Sequence, residues 1–144
     1  MANVLLDTNV LLDFFSRTRP EHDRATALMQ HLRLCEVGTA VAATSVKDIY
    51  YILGRTDGKG AAQAAVESVL GTMAILPVDA DCCQRAAHST EPDFEDGIIR
   101  AAAEIAQVDY LISRDSTAFV GSRVPRLTPA EALRELRPRP SRAR

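Results

Sequence analysis

Aspartates stand at four places in the chain where a purely structural role explains them poorly. Asp7 ends one apolar run and Asp115 follows another. Asp48 lies among apolar residues of a predicted helix, and Asp93 and Asp96 are three residues apart at the predicted start of another. Carboxylates that lie close together repel one another unless a cation neutralises them, and their hard oxygen atoms suit Mg²⁺ or Mn²⁺. Such ions activate water and polarise phosphoryl oxygens, so these residues favour phosphodiester hydrolysis.

Short apolar runs that alternate with helical patterns predict an α/β fold with a mainly parallel sheet. The predicted strands are residues 2–6, 37–42, 75–78 and 109–113, with a short edge strand beginning at Val124. Ser45 is predicted to N-cap one of the helices, which Gly54 ends, and Pro129 to lie in the first turn of the last one. Ligands of such sheets bind beyond the carboxyl ends of the strands, which directs attention to Asp7 and Asp115.

The composition predicts an ordinary domain in a reducing compartment. The chain has 144 residues, of which 47% are apolar and 25% charged, so it can bury a core without disulfides. Apolar runs fall short of the roughly 20 residues of a membrane span, and the first residues do not resemble a signal peptide. Three cysteines, two of them adjacent, argue against a disulfide framework. We therefore expect a cytoplasmic protein without a membrane partner.

Charge divides the chain into a predicted domain at residues 1–133 and an Arg-rich, flexible tail at residues 134–144. The tail holds five arginines and one glutamate, a net charge of +4. Because the whole chain has a net charge of −2, residues 1–133 carry −6. A nucleic-acid-binding protein usually spreads lysine and arginine over one face. If the substrate is a polyanion, something must offset the carboxylates of the domain, and a divalent metal is one candidate. The tail is a candidate for gripping RNA or a partner protein.

Each acidic position also has a structural interpretation. Asp7 and Asp115 are suited to N-cap the segments that follow them. Residues 93–96 resemble a capping box, in which acids are favoured at a helix start. Asp48 cannot be a cap, because it lies within its helix, but it is suited to the solvated edge of the apolar face. Their order and contexts together are therefore more informative than any single position.

In that order, the four segments resemble the acidic motifs of PIN-domain nucleases. The matching segments are residues 5–12, 43–53, 93–103 and 111–115 followed by Phe119, and the resemblance spans residues 3 to about 130. It implies a Rossmann-like α/β/α sandwich. Many bacterial members of the family are VapC-type toxins of type II toxin–antitoxin pairs, which cut RNA with Mg²⁺ or Mn²⁺ and usually dimerise. The resemblance thus implies a ribonuclease, an antitoxin partner and a homodimer.

The resemblance also implies a role for each matching residue. Asp7, Asp48, Asp96 and Asp115 occupy the four acidic positions, and Asp93 is an additional acid of the third motif. We expect Asp7, Asp96 and Asp115 to hold one or two metal ions, with Asp48 or Asp93 completing the ligand set. The family more often has glutamate at the second position, so the shorter Asp48 is suited to a water-mediated contact. Two polar residues would orient the ligands, namely Asn9 and Ser113.

Two other functional classes fit the sequence less well. The glutamate-to-aspartate departure at Asp48 and the acidic domain are compatible with a catalytically weak PIN-like module that binds RNA or protein. A phosphatase-like or nucleotide-binding protein of receiver-type topology also clusters acids after strands. That class requires paired acids early in the chain and a lysine after a late strand, whereas lysine occurs only at positions 47 and 59. The metal-dependent ribonuclease is therefore the leading hypothesis.

Overall fold

Five strands form one sheet in which every neighbouring pair is parallel. The computed structural model describes residues 2–138. The strands are β1 (Asn3–Leu6), β2 (Gly38–Ala42), β3 (Ala74–Leu76), β4 (Tyr110–Ile112) and β5 (Arg126–Leu127), in the order β3-β2-β1-β4-β5. The predicted parallel sheet is confirmed. The edge strand begins at Arg126, two residues later than predicted.

Seven helices in the described residues cover both faces of this sheet. They are α1 (Thr8–Phe15), α2 (His22–Leu34), α3 (Ala43–Thr56), α4 (Lys59–Thr72), α5 (Ala80–Ala87), α6 (Phe94–Ala106) and α7 (Pro129–Glu135). Leu6 and Ile112 pack in one core with α1, α2, α3, α4 and α7, whereas Leu5 and Leu111 pack in a second core with α5 and α6. Successive strand residues point to opposite faces, so each apolar run supplies both cores. The predicted α/β/α sandwich is confirmed.

The prediction that Ser45 caps α3 was wrong. The helix begins at Ala43, and its N-cap, Ala42, makes no side-chain hydrogen bond. Ser45 lies buried in the first turn, where its Oγ accepts a hydrogen bond of 2.7 Å from the hydroxyl of Thr8. The serine hydroxyl therefore joins α3 to α1 instead of capping a backbone N–H. The helix also continues past Gly54 to Thr56.

The last helix extends the folded part of the chain beyond residue 133. Pro129 lies in the first turn of this helix, as predicted, and Thr128 and Glu131 form a capping box there. The helix runs to Glu135, and Leu136 packs in the first core. The folded unit thus includes residues 134–136, and residues 139–144 of the predicted tail lie outside the described residues. No helix in the described part of the chain combines the length and hydropathy needed to cross a membrane.

The topology places two strand ends side by side at the centre of the sheet. From β1 the chain continues to β2 on one side, while β4 pairs with β1 on the other. Leu6 and Ile112 are register partners, and the backbone N–H of Asp7 donates to the carbonyl of Ile112 at 3.0 Å. This is the topological switch point of the sheet, where α/β proteins bind their ligands. Asp7 and Ser113 are the first residues beyond it.

Candidate active site

Asp7 is held by hydrogen bonds on both carboxylate oxygens. As the N-cap of α1, its Oδ1 accepts from the backbone N–H of Thr8 at 2.8 Å, and its Oδ2 accepts from Ser113 Oγ at 2.7 Å. The residue is only 5% exposed. Burial raises the pKa of Asp7, which the two hydrogen bonds partly oppose. The capping interpretation is confirmed, and the same carboxylate lies at the switch point.

Ser113 links Asp7 to Asp115. Its Oγ, which donates to Asp7, accepts a hydrogen bond of 3.1 Å from the backbone N–H of Asp115. Asp115 Oδ1 accepts from the N–H and hydroxyl of Thr117, both at 2.9 Å, and from the N–H of Ala118 at 3.2 Å. The two hydrogen bonds from Thr117 are the main cause that lowers the pKa of Asp115. This carboxylate is therefore ionised at neutral pH. Oδ2 accepts no hydrogen bond from the described residues.

The start of α6 adds three more carboxylates, those of Asp93, Glu95 and Asp96. Asp93 is the N-cap, and its Oδ1 accepts from the N–H groups of Glu95 at 2.8 Å and Asp96 at 3.2 Å. Burial is the main cause that raises the pKa of Asp96 to about 6, and the negative charges of Asp7, Asp93 and Asp115 contribute to the same rise. Asp96 therefore lies close enough to the acids after β1 and β4 to be repelled by them.

Asp48 lies beside a carboxylate that sequence reasoning missed. A hydrogen bond with Asp48 is the main cause that raises the pKa of Glu95 to about 7, with burial second. The Nζ of Lys47 is 3.1 Å from Asp48 Oδ1. Acids in the first turn of a helix are common because they favour its positive end, so nothing in the local pattern separates Glu95 from a surface acid. Its partner lies 47 positions away in the sequence.

These carboxylates form a continuous acidic row along the carboxyl edge of the sheet. We use this name for six residues: Asp115, Asp7, Asp96, Asp93, Glu95 and Asp48. The negative charges of neighbouring members raise one another's pKa, as for Asp7, Glu95 and Asp96. Within residues 2–138, however, the Asp, Glu, His and Cys side chains form no compact set of three or more with the spacing of metal ligands. The row is therefore extended rather than a closed cage.

Asn9 does not contact the acidic row by a hydrogen bond within the described residues. It is exposed on α1, where its Oδ1 lies 3.5 Å from an η nitrogen of Arg19. The bonds that hold Asp7 come from Thr8 and Ser113 instead. The orienting role of Asn9 stays a prediction.

In metal-free protein at neutral pH, Asp96→Asn is expected to increase the free energy of unfolding. The folded-state pKa of about 6 exceeds the unfolded value of about 3.9, so the native state loses stability as the pH rises from about 4 to 6. Asparagine removes that loss. Solvent screening of the partly exposed side chain limits the gain to about 1 kcal/mol. Urea denaturation in EDTA measures it.

Asp23→Asn is the matched control, because Asp23 is an exposed acid in the first turn of α2. Its loss is expected to leave stability unchanged or to lower it by a few tenths of a kcal/mol, since an acid there favours the helix N-terminus. Equal stability of Asp96→Asn and the unmodified protein would contradict repulsion within the acidic row.

The sequence of this chain matches the family model described as "PIN domain" over residues 3–117. That match covers most of the chain and includes all six members of the acidic row. The chain belongs to the PIN-domain family. No curated protein matches it in sequence.

Solved structures confirm the PIN fold at low sequence identity. Mycobacterium tuberculosis VapC20, described as a "Sarcin-Ricin loop cleaving toxin", has a TM-score of 0.65 and 18% identity over 75% of this chain and 86% of its own. A toxin–antitoxin complex from Klebsiella pneumoniae gives a TM-score of 0.67 with 22% identity, covering 88% and 97%. VapBC2 from Rickettsia felis, bound to a DNA fragment from its promoter, gives 0.66 with 12%, covering 88% and 98%.

In this PIN domain, the acids of the first, third and fourth sequence motifs lie near the switch point of the sheet and affect one another's pKa, without forming a compact ligand set in the described residues. Asp7 follows β1, Asp115 follows β4, and Asp96 approaches from the start of α6. Asp48 lies at the far end of the acidic row, next to Glu95. The central part of the candidate site therefore consists of Asp7, Asp96 and Asp115.

Proposed function

We propose that this PIN domain is a divalent-metal-dependent ribonuclease and the toxin of a type II toxin–antitoxin pair. The observation that carries the proposal is the mutual repulsion of Asp7, Asp96 and Asp115, which come from three different segments around the switch point. Three carboxylates that repel one another at a ligand-binding edge cost stability, and proteins retain such arrangements chiefly where function requires them. Hydrolysis of a phosphodiester with the help of a cation is the chemistry that this set suits best.

The donor atoms fit Mg²⁺ or Mn²⁺. The row offers only carboxylate oxygens, which are the hard ligands of these ions. Mg²⁺ keeps several waters and is usually bound through one or two carboxylates plus substrate phosphate, so it does not require a closed set of three protein ligands. Asp7, Asp96 and Asp115 would hold the ion, with Asp93 or Asp48 completing the set. When bound, it supplies an activated water and neutralises the scissile phosphate.

The chain's own residues have separable tasks in this mechanism. The hydrogen bonds from Thr8 and Ser113 fix the Asp7 carboxylate, and Thr117 and Ala118 fix that of Asp115 through Oδ1. Asp115 Oδ2 accepts no hydrogen bond from the described residues, so it is available to a metal ion. Fixed ligands reduce the reorganisation needed when the substrate arrives.

The toxin assignment is supported by what the similar structures are. One is named a cleaving toxin and others are toxin–antitoxin complexes. From these and the family resemblance we propose an RNA substrate, a cognate antitoxin and a homodimer for this chain. Light scattering after size exclusion tests the homodimer directly.

Cleavage of single-stranded RNA by the purified protein tests the proposed activity. We expect cuts with Mg²⁺ or Mn²⁺, no cuts in EDTA, and recovery when the metal is restored in excess. The absence of cuts in EDTA is the control against contaminating ribonucleases that need no metal, and recovery shows that EDTA has not inactivated the protein. Metal-independent cleavage would contradict the mechanism. Binding of RNA without cleavage in any metal would favour the alternative, a PIN-like binding module.

A further inference from the structure

Two arginines share one buried aspartate next to the acidic row. Asp13, in the last turns of α1, has a side chain only 3% exposed. Its Oδ1 accepts from Arg19 Nε and its Oδ2 from Arg114 Nε, both at 2.8 Å. Arg114 lies in the sequence between Ser113 and Asp115, so this cluster adjoins the centre of the candidate site. We call these three residues the arginine pair and its anchor.

The cluster has a surplus positive charge that faces solvent. One carboxylate can neutralise one guanidinium, so the three side chains together carry +1. The aspartate is buried, but the side chains of Arg19 and Arg114 are 27% and 41% exposed. The negative group is thus covered by two cations that stay accessible.

Most donors of the two arginines are left for a ligand. Each guanidinium has five N–H donors, and Asp13 uses only the Nε–H of each. The η nitrogens of Arg114 donate to none of the described residues, and those of Arg19 make only the 3.5 Å contact with Asn9. Guanidinium η nitrogens in a fixed orientation match the paired oxygens of a phosphate.

Packing alone does not explain the second arginine. A single arginine would neutralise Asp13, and the second guanidinium loses side-chain entropy without adding neutrality. Residues 1–133 carry −6 in total, and a polyanion that approaches the acidic row is repelled along most of its path. A pair of anchored cations beside the row offsets that repulsion where the chain of phosphates must pass.

We propose that Arg19 and Arg114, anchored by Asp13, bind a backbone phosphate of the RNA next to the one that is cleaved. This inference rests on the proposed ribonuclease function. The pair reads no base, because phosphate contacts position a nucleic acid without carrying sequence information. Arg114 and Asp115 are adjacent, so the pair sets the register of the strand relative to the acidic row.

Single substitutions of the pair are suited to test this, because each leaves Asp13 with one partner. Arg114→Gln keeps the bond from Arg19, and Arg19→Gln keeps the bond from Arg114. Neither variant leaves a buried charge unpaired, so both are expected to fold. Arg33→Gln is the matched control: Arg33 is an exposed arginine in the last turn of α2. The chain passes from there into the amino end of β2, at the edge of the sheet opposite the acidic row.

Binding of a short fluorescein-labelled single-stranded RNA is measured by anisotropy over a salt series, with Mg²⁺, in an Asp7→Asn background that keeps the RNA intact. We expect Arg19→Gln and Arg114→Gln each to weaken binding about tenfold and to reduce the slope of log affinity against log salt by about 0.7. The loss should be the same for two RNAs of unrelated sequence, and Arg33→Gln should change neither quantity.

The outcomes separate this inference from the function on which it rests. Unchanged affinity and slope in both variants, with RNA still bound by the Asp7→Asn background, would overturn the role of the arginine pair and leave the RNA substrate standing. An equal effect of Arg33→Gln would overturn it as well, because the contribution would then be one of net charge. No RNA binding by either the background protein or the unmodified protein would reject the RNA substrate itself, and the inference with it.

Discussion

Asp7→Asn is expected to lower the rate of metal-dependent RNA cleavage by at least about 1000-fold. Asp7 is the buried carboxylate of the acidic row at the switch point, and its charge is what a cation there would neutralise. Loss of a ligand interaction worth several kcal/mol in the transition state corresponds to that factor, at about 1.4 kcal/mol for each tenfold. Cleavage of end-labelled RNA under single-turnover conditions measures the change.

The fold is expected to survive this substitution. Asparagine is as good an N-cap as aspartate, so its Oδ1 can still accept from Thr8. Burial raises the pKa of Asp7, which means that the charged form is disfavoured there, and a neutral amide removes that cost. Unfolding by urea should therefore give a stability equal to or above that of the unmodified protein.

Asp109→Asn is the control variant for this experiment. Asp109 precedes β4 at the opposite edge of the sheet, where its Oδ2 accepts from the backbone N–H of Asn3 at 2.7 Å. Its amide replacement makes the same chemical change in the same sheet and is expected to leave cleavage within about twofold, as surface substitutions usually have small effects. A cleavage rate that Asp7→Asn does not change would reject the proposed site.

The sheet and its two helical layers could be predicted because the sequence repeats one signal. Most of the apolar runs are short and are followed by a helix start, as at Asp7 and at Pro129, and this alternation is typical of parallel sheets. Boundaries were less predictable where tertiary contacts decide them. Ser45 has the chemistry of a cap, yet Thr8, 37 positions away, takes its hydroxyl. At β5, Arg126 and Leu127 pair with β4. No local sequence pattern predicts that the strand begins at Arg126.

The candidate site was predictable where it follows strand ends and not where it depends on loops that meet in space. Asp7 and Ser113 come directly after β1 and β4, so pairing of the two strands brings them together. Glu95 and Glu91, by contrast, read as ordinary acids near a helix start. Their roles depend on partners that the fold delivers from distant segments. The role of a carboxylate outside a recognised motif can be assigned only when the fold shows which residue it contacts.

Glu91 shows this dependence most clearly, because it joins α6 to the loop that carries Asp115. Its side chain is only 3% exposed. One oxygen lies 3.3 Å from an η nitrogen of Arg100 on α6, and the other accepts from the backbone N–H of Phe119 at 3.0 Å. Phe119 is buried with a φ of 67°, in the left-handed region that non-glycine residues rarely adopt. The glutamate therefore stabilises a loop conformation that would otherwise be disfavoured.

Glu91→Ala is expected to lower the free energy of unfolding by about 2–4 kcal/mol. The variant leaves the buried N–H of Phe119 without its acceptor, which costs about 1–3 kcal/mol, and breaks a buried ion pair. Arg100 keeps its ion pair of 2.8 Å with Glu104. Its charge is therefore not left unpaired, and the loss of stability stays below that expected for an unpaired buried charge. Urea denaturation measures the change, provided that the m-value is unaltered. Glu91→Gln retains an acceptor for Phe119 and should lose about half as much.

The exposed ion pair between Asp81 and Arg85 on α5 provides the comparison. It joins two side chains one helical turn apart at 3.3 Å, and both are more than half exposed, so Asp81→Ala is expected to cost less than about 0.5 kcal/mol. A loss of the same small size for Glu91→Ala would contradict the idea that Glu91 holds the loop. If Glu91 does hold it, cleavage by Glu91→Ala should fall even at temperatures where the variant is fully folded, because Asp115 then lies on a loop whose conformation is no longer fixed relative to Asp96.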